Sequence, residues 1–201
     1  GATGIMKKWT VLLLVVLLVV SAAAHAAVPS KTTQDLATVV SFASASGAQL
    51  AADFAVALAE PTAAATEQLA NVAAVVAGGA SPVSYFAGKE EDVAALVPEG
   101  FDPNTLEFNE FSPLTAVNYD ESYADVVVSF KFATEYADGQ VVVAMVGIPT
   151  GTNPDGTAIV EWYALKAEVV GGLVAVSFTQ EVLALLDGAE GMIAILSEPA
   201  A

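Results

Sequence analysis

The 201 residues contain no cysteine and no arginine, and the only histidine is His25. Without cysteine there is no disulfide framework, no thiol redox chemistry and no lipid anchor on an N-terminal cysteine. His25 falls in a segment read below as a removable leader. What then remains, free of His and Cys, has no Ser-His-Asp or Cys-His catalysis and no ordinary zinc site. Positive charge is scarce too: six lysines face 23 acidic residues, for a net charge of −17. Phosphate recognition needs a basic footprint, so a nucleic-acid partner is excluded, and an anionic membrane surface is disfavoured for the same reason. No motif names a cofactor, a metal or a reaction, and no catalytic, cofactor-binding or metal-ligating residue is assigned.

The N-terminus carries the most specific pattern. After Met6 come the basic Lys7 and Lys8, the apolar run Val11 to Val20, and Ala24-His25-Ala26 as an A-x-A cleavage site ahead of Ala27. These are the three parts of an export signal. Residues 1–26 are accordingly read as signal peptide, with 1–5 as leading non-native or over-extended residues. Removing Lys7 and Lys8 leaves 4 − 23 = −19. The expected location is secreted or cell surface, and the missing disulfides agree with export from a bacterium, since a domain of this size needs none. The alternative is a retained segment: Val11 to Val20 falls short of the roughly 20 residues of a spanning helix, but the alanine-rich continuation to Val28 completes a marginal one.

The stretch from Tyr123 to Thr179 is rich in strand patterns. Val126, Val128, Phe130, Phe132 and Tyr136 alternate with Ser129, Lys131 and Glu135, a half-buried strand. Asp138-Gly139 then predicts a tight hairpin, because both residues tolerate positive φ. Val141 to Ile148 is apolar on both faces, as in a central strand covered on two sides. Pro149 to Thr157 is composed of turn formers and reads as an exposed loop. Ile159 to Val170 and Leu173 to Thr179 follow as strands joined by Gly171-Gly172. Short turns make this an antiparallel meander.

Residues 27–98 read as helical. Leu36, Val40, Ala43, Gly47, Leu50, Phe54 and Ala57 recur at helical spacing, and Glu60-Pro61 ends that helix. Leu69, Val72, Val75 and Val76 mark a second, closed by Gly78-Gly79, and Ser81-Pro82 and Glu90 to Val97 start two shorter ones. Leu106 and Phe108 suggest an added edge strand, Thr179 caps a helix over Gln180 to Asp187, and Met192 to Leu196 fits a closing strand. The expectation is an α+β fold: a helical hairpin plus short helix over 27–98, packed on an antiparallel meander of four to six strands within 99–201, as one compact domain. An NTF2-like or cystatin-like curved sheet satisfies this pattern, and so does a helical hairpin appended to a sandwich.

Candidate ligand-binding residues are Tyr119, Asp120, Glu121, Tyr123 and Asp125, an acidic-aromatic cluster at the entrance to the meander, together with Trp162. Such a cluster suits a glycan platform, a calcium site or a glycosidase carboxylate pair, but a solvated turn is the preferred reading, the default for a run of charge. Trp162 and Tyr163 face opposite sides of their strand, one for the core and one free for binding. Asp138 and Asp155 are turn residues. Lys131 and Lys166, next to Glu135, Glu161 or Glu168, fit cross-strand ion pairs better than a Ser-Lys dyad or a crosslink to Asn109 or Asn118. The functional expectation is an exported, acidic, non-enzymatic protein that binds or assembles at the cell exterior with an extracellular protein or glycan partner, self-association included. Alternatives are a small-ligand or glycan module with its pocket between helices and sheet, a filament subunit retaining its hydrophobic N-terminal helix, and a carboxylate-only hydrolase.

Overall fold

A computed structural model describes residues 37–58 and 60–200. The segment read as an export signal and the start of the region read as helical, 27–36, lie outside the described residues. The described residues form eight strands: β1 (Ala37–Ser44), β2 (Ala55–Leu58), β3 (Glu107–Val117), β4 (Val126–Phe132), β5 (Val142–Thr152), β6 (Ala158–Val170), β7 (Leu173–Phe178) and β8 (Gly191–Ser197). Every ladder between them is antiparallel, and they run in the order β1-β4-β7-β6-β5-β8-β3-β2. The sheet curls until its two ends meet, and the rings of Phe42 on β1 and Phe54 just ahead of β2 pack edge to face at 5.4 Å. The result is a nearly closed barrel.

Among the described residues four α-helices are minor additions: α1 (Ala63–Ala77), α2 (Pro82–Tyr85), α3 (Glu90–Leu96) and α4 (Gln180–Leu186). Thr62, Ser81 and Thr179 cap α1, α2 and α4 by accepting backbone N–H bonds, as hydroxyl side chains at an N-cap do. The first three helices cover the outer face of β3, β8, β5 and the first half of β6. There Val72, Phe86, Phe108, Met145, Trp162 and Met192 make one apolar layer. The inner face makes the other, with Phe130, Val146, Leu165, Val176, Phe178 and Ile195 inside the barrel. Helix α4 plugs one end through Val182, Leu183 and Leu186.

The expected α+β architecture is overturned. Residues read as the first arm of a helical hairpin are strands β1 and β2, at the two ends of the ladder. Thr38, Val39, Val40 and Phe42 are β-branched or aromatic and prefer a pleated surface, and Gly47 at φ 73° ends the run. Their helical spacing is real, but partners on β4 outweigh it: Val39 and Phe42 face Phe130 and Val128 across the ladder. A bulge between Val39 and Ser41 shifts the strand by one position, so apolar residues three apart reach the same side. The helical spacing read from the sequence runs instead through Val40 and Ala43, which are both exposed.

The meander is corrected as well. Strand β4 does not pair with β5; it lies between β1 and β7. Gly139 has the positive φ expected, 80°, yet its turn carries the chain across the barrel end instead of straight back. Strand β5 runs through Pro149 to Thr152 with a bulge between Pro149 and Gly151, leaving only 153–157 as the loop. The edge strand expected near Leu106 is β3, an internal strand between β8 and β2.

Candidate functional site

Strand β6 belongs to two ladders. From Ala158 to Lys166 it pairs with β5, and from Ala167 to Val170 with β7. At that handover β5 turns away toward β8, where Val142 lies opposite Ser197. A groove of about 630 Å³ opens in the wedge. Leu96 at the end of α3, with Val97 and Pro98 after it, forms one wall, Gln140 to Val142 another, and Lys166 to Val170 the third. Among the described residues no strand is paired with this edge of β6 from Ala167 to Val170.

The floor is held rigidly. The Gln140 side-chain oxygen accepts the Ala137 N–H at 3.0 Å while its amide donates to the Glu198 carbonyl at 2.9 Å. Glu198 accepts the Val141 N–H on its carboxylate at 2.8 Å and donates its own N–H back to the Val141 carbonyl at 2.9 Å. Charge at the rim is balanced: Lys166 and Glu168 lie 3.9 Å apart, both well exposed, a pair that contributes little by itself. Among the described residues no aromatic ring lines the groove.

The same end of the barrel holds a buried acid that the sequence reading passed over. A bulge between Phe108 and Glu110 turns Glu110 inward, where it is 8 % exposed. Thr134 bonds its carboxyl, and the Tyr136 hydroxyl donates to it across 3.5 Å. Burial raises the Glu110 pKa above the ordinary carboxylate range, although these hydrogen bonds oppose the shift. Burial raises the Tyr136 hydroxyl strongly, and the Glu110 charge adds to it.

A raised acid binds its proton more tightly folded than unfolded. Stability from this group is therefore complete below about 4.5, the ordinary glutamate value, and declines as pH rises through the folded pKa. Glu110→Gln should remove that decline. Against the native protein, the variant's urea midpoint should gain as pH rises above about 4.5 and level off once Glu110 is ionised in the folded protein. Parallel midpoint curves for the two proteins would mean that Glu110 does not titrate differently on unfolding.

The residues singled out from sequence fall elsewhere. Tyr119, Asp120, Glu121, Tyr123 and Asp125 do come together, at the other end of β4 from the groove. Each polar atom for which a bond is resolved is used within the fold. The Tyr119 hydroxyl donates to the Ala124 carbonyl at 2.7 Å, and the Tyr123 hydroxyl accepts the Ala51 N–H at 2.9 Å. Asp120 accepts the Ser122 N–H at 2.8 Å, and the Ser122 hydrogen bonds hold its carboxyl below the usual range. Asp125 accepts the Gln180 N–H at 2.9 Å, tying the start of α4 to β4. Glu121 is exposed. Trp162 is not with them: it lies in the outer layer, 8 % exposed, with its ring 4.8 Å from Phe86. Among the described residues no three His, Cys, Asp or Glu side chains converge to hold a metal, and no helix is long and apolar enough to cross a membrane.

Comparison with protein-family models, curated proteins and solved structures finds no match to this chain. The groove has the size of a binding site, which is typically about 300–1,000 Å³.

Proposed function

We propose that this chain is an exported, non-enzymatic binding protein that holds a short extended segment of an extracellular partner protein in the groove beside β6. The observation that carries the reading is the unpaired edge of β6 from Ala167 to Val170, facing an apolar-walled groove. An extended peptide laid there adds a strand: its main chain bonds the open edge, and alternate side chains enter the space between Leu96, Val97 and Val169. A sugar is the poorer fit, since stacking platforms need aromatic rings and none lines this groove. With a net charge of −17, neutral or basic segments are favoured over acidic ones.

Ala95 stands at the groove lip and is exposed, so Ala95→Trp fills the groove without entering the core. Octapeptides selected from a displayed library against the native protein should lose at least about tenfold in affinity for this variant, the loss of about 1.4 kcal/mol. Its melting temperature should stay unchanged. Selected peptides that bind Ala95→Trp as tightly as the native protein would place the binding site elsewhere.

A further inference from the structure

The helices cover only one half of the barrel. On the other half the outward side chains of β4 and β7, among them Val127, Ser129, Leu173, Ala175 and Ser177, belong to neither apolar layer. They are small, uncharged and half-buried by their neighbours alone. Val170, at the margin of this face, is 60 % exposed, the most open of the large apolar side chains described. Ser129, Ala175 and Glu168 stand in one cross-strand row, and Val127 lies opposite Ser177 in the next.

Charge sets this face apart from the rest of the molecule. The chain as a whole carries −17, yet β4, β7 and the second half of β6 present outward only Lys131, Lys166 and Glu168. Two such acidic molecules repel wherever their acidic surfaces face each other. This sheet face is where that repulsion is weakest and apolar surface is open.

We infer that a second copy of this chain packs on this face, sheet against sheet, as a two-fold dimer. Lys131 on β4 and Glu168 on β6 flank the central strand β7 on its two sides. A two-fold axis lying along β7 in the contact plane sets β4 of each copy over β6 of the other. Each Lys131 then stands one row, roughly 7 Å along the strand, from the partner's Glu168, within reach of a lysine side chain. Like charges stay apart and opposite charges meet, which is the self-complementarity an isologous contact requires. The small side chains at the centre let the two sheets approach closely. The inference does not rest on the groove or on the peptide it is proposed to hold.

The test is sedimentation of the full chain in its native processed form from about 1 μM to about 1 mM, a span that brackets a dimer of moderate affinity. A species of twice the chain mass should appear. Ala175→Glu, at the half-exposed centre of the face, sets two carboxylates against each other across the axis and should raise the dissociation constant at least about a hundredfold. Lys131→Glu should weaken the dimer, and Lys131→Glu with Glu168→Lys should restore it, which misfolding does not imitate. A native protein that stays monomeric throughout overturns the inference. So does a dimer indifferent to Ala175→Glu and lost on removing the residues ahead of Ala37, because the N-terminal segment is then what joins the copies.

Discussion

Gly147→Ala should cost about 2–3 kcal/mol, the range for forcing a methyl into a packed core, or roughly 5–10 °C of melting temperature in a chain of this size. Gly147 sits on β5 directly under Trp162. A Cβ built there comes within 2.8 Å of two atoms of the indole and within 2.9 Å of a methyl of Val160. The indole has nowhere to go, since its other side packs against Phe86 at 4.8 Å and Tyr85 at 6.3 Å. Trp162→Leu alone should also destabilise, by leaving a cavity in the outer layer. The two changes together should cost clearly less than their sum, because the new methyl occupies part of the vacated volume. A strictly additive double mutant would show that the indole is not what excludes the side chain.

Phe54→Ala should cost about 3–5 kcal/mol, as expected for a buried aromatic whose neighbours cannot collapse into the space. Phe54 is 4 % exposed and its ring meets three others: Phe42 and Tyr123 at 5.4 Å each, and Tyr119 at 6.4 Å. These rings join β1, the loop before β2 and the loop before β4, where the curled sheet meets itself. The damage should therefore be local before it is global. Exchange of the Ala51 amide, bonded to the Tyr123 hydroxyl, should quicken more than that of Met145, which lies among the strands. A loss under about 1 kcal/mol, the size of an ordinary surface substitution, would show that the ring cluster is not what closes the barrel.

Individual strands were legible because their patterns are short-range. The alternation over Val126 to Phe132 places β4 correctly, the two-sided apolar run puts Val142 to Ile148 under two layers, and Thr179 announces α4. What could not be read is which strand lies beside which. The turn at Asp138-Gly139 has hairpin chemistry, and nothing local distinguishes a turn that reverses a strand from one that crosses to another part of the sheet. The bulges at Val39/Ser41 and Phe108/Glu110 hid two further facts. The first set Val39 and Phe42, three residues apart, on one side of β1, and the second turned Glu110 away from the face of Phe108 and into the barrel. The groove was invisible for a related reason: Ala95 to Pro98, Gln140 to Val142 and Lys166 to Val170 are far apart in the chain, and only the divergence of β5 from β6 brings them together. The acidic-aromatic cluster was visible as a cluster, since its residues are contiguous. Its hydrogen bonds to Ala51 and Gln180 depend on distant segments.

The strand order also dictates a sequence of events in time. Strands β1 and β2 are joined by ten residues, 45–54, yet six strands separate them in the ladder. Neither can find its final neighbour until β4 and β3 are in place, whereas β5, β6 and β7 pair with the strand next in the chain. Refolding should begin with those local hairpins and finish with the ends closing around 45–54, a late and slow step because it waits on the β1–β4 and β3–β8 ladders, whose partners such as Ala37 and Phe132 or Glu107 and Ser197 lie far apart in the chain. Tyrosine fluorescence from Tyr119 and Tyr123 lies where that last step happens, and it should report native values only after the signal from Trp162 has settled.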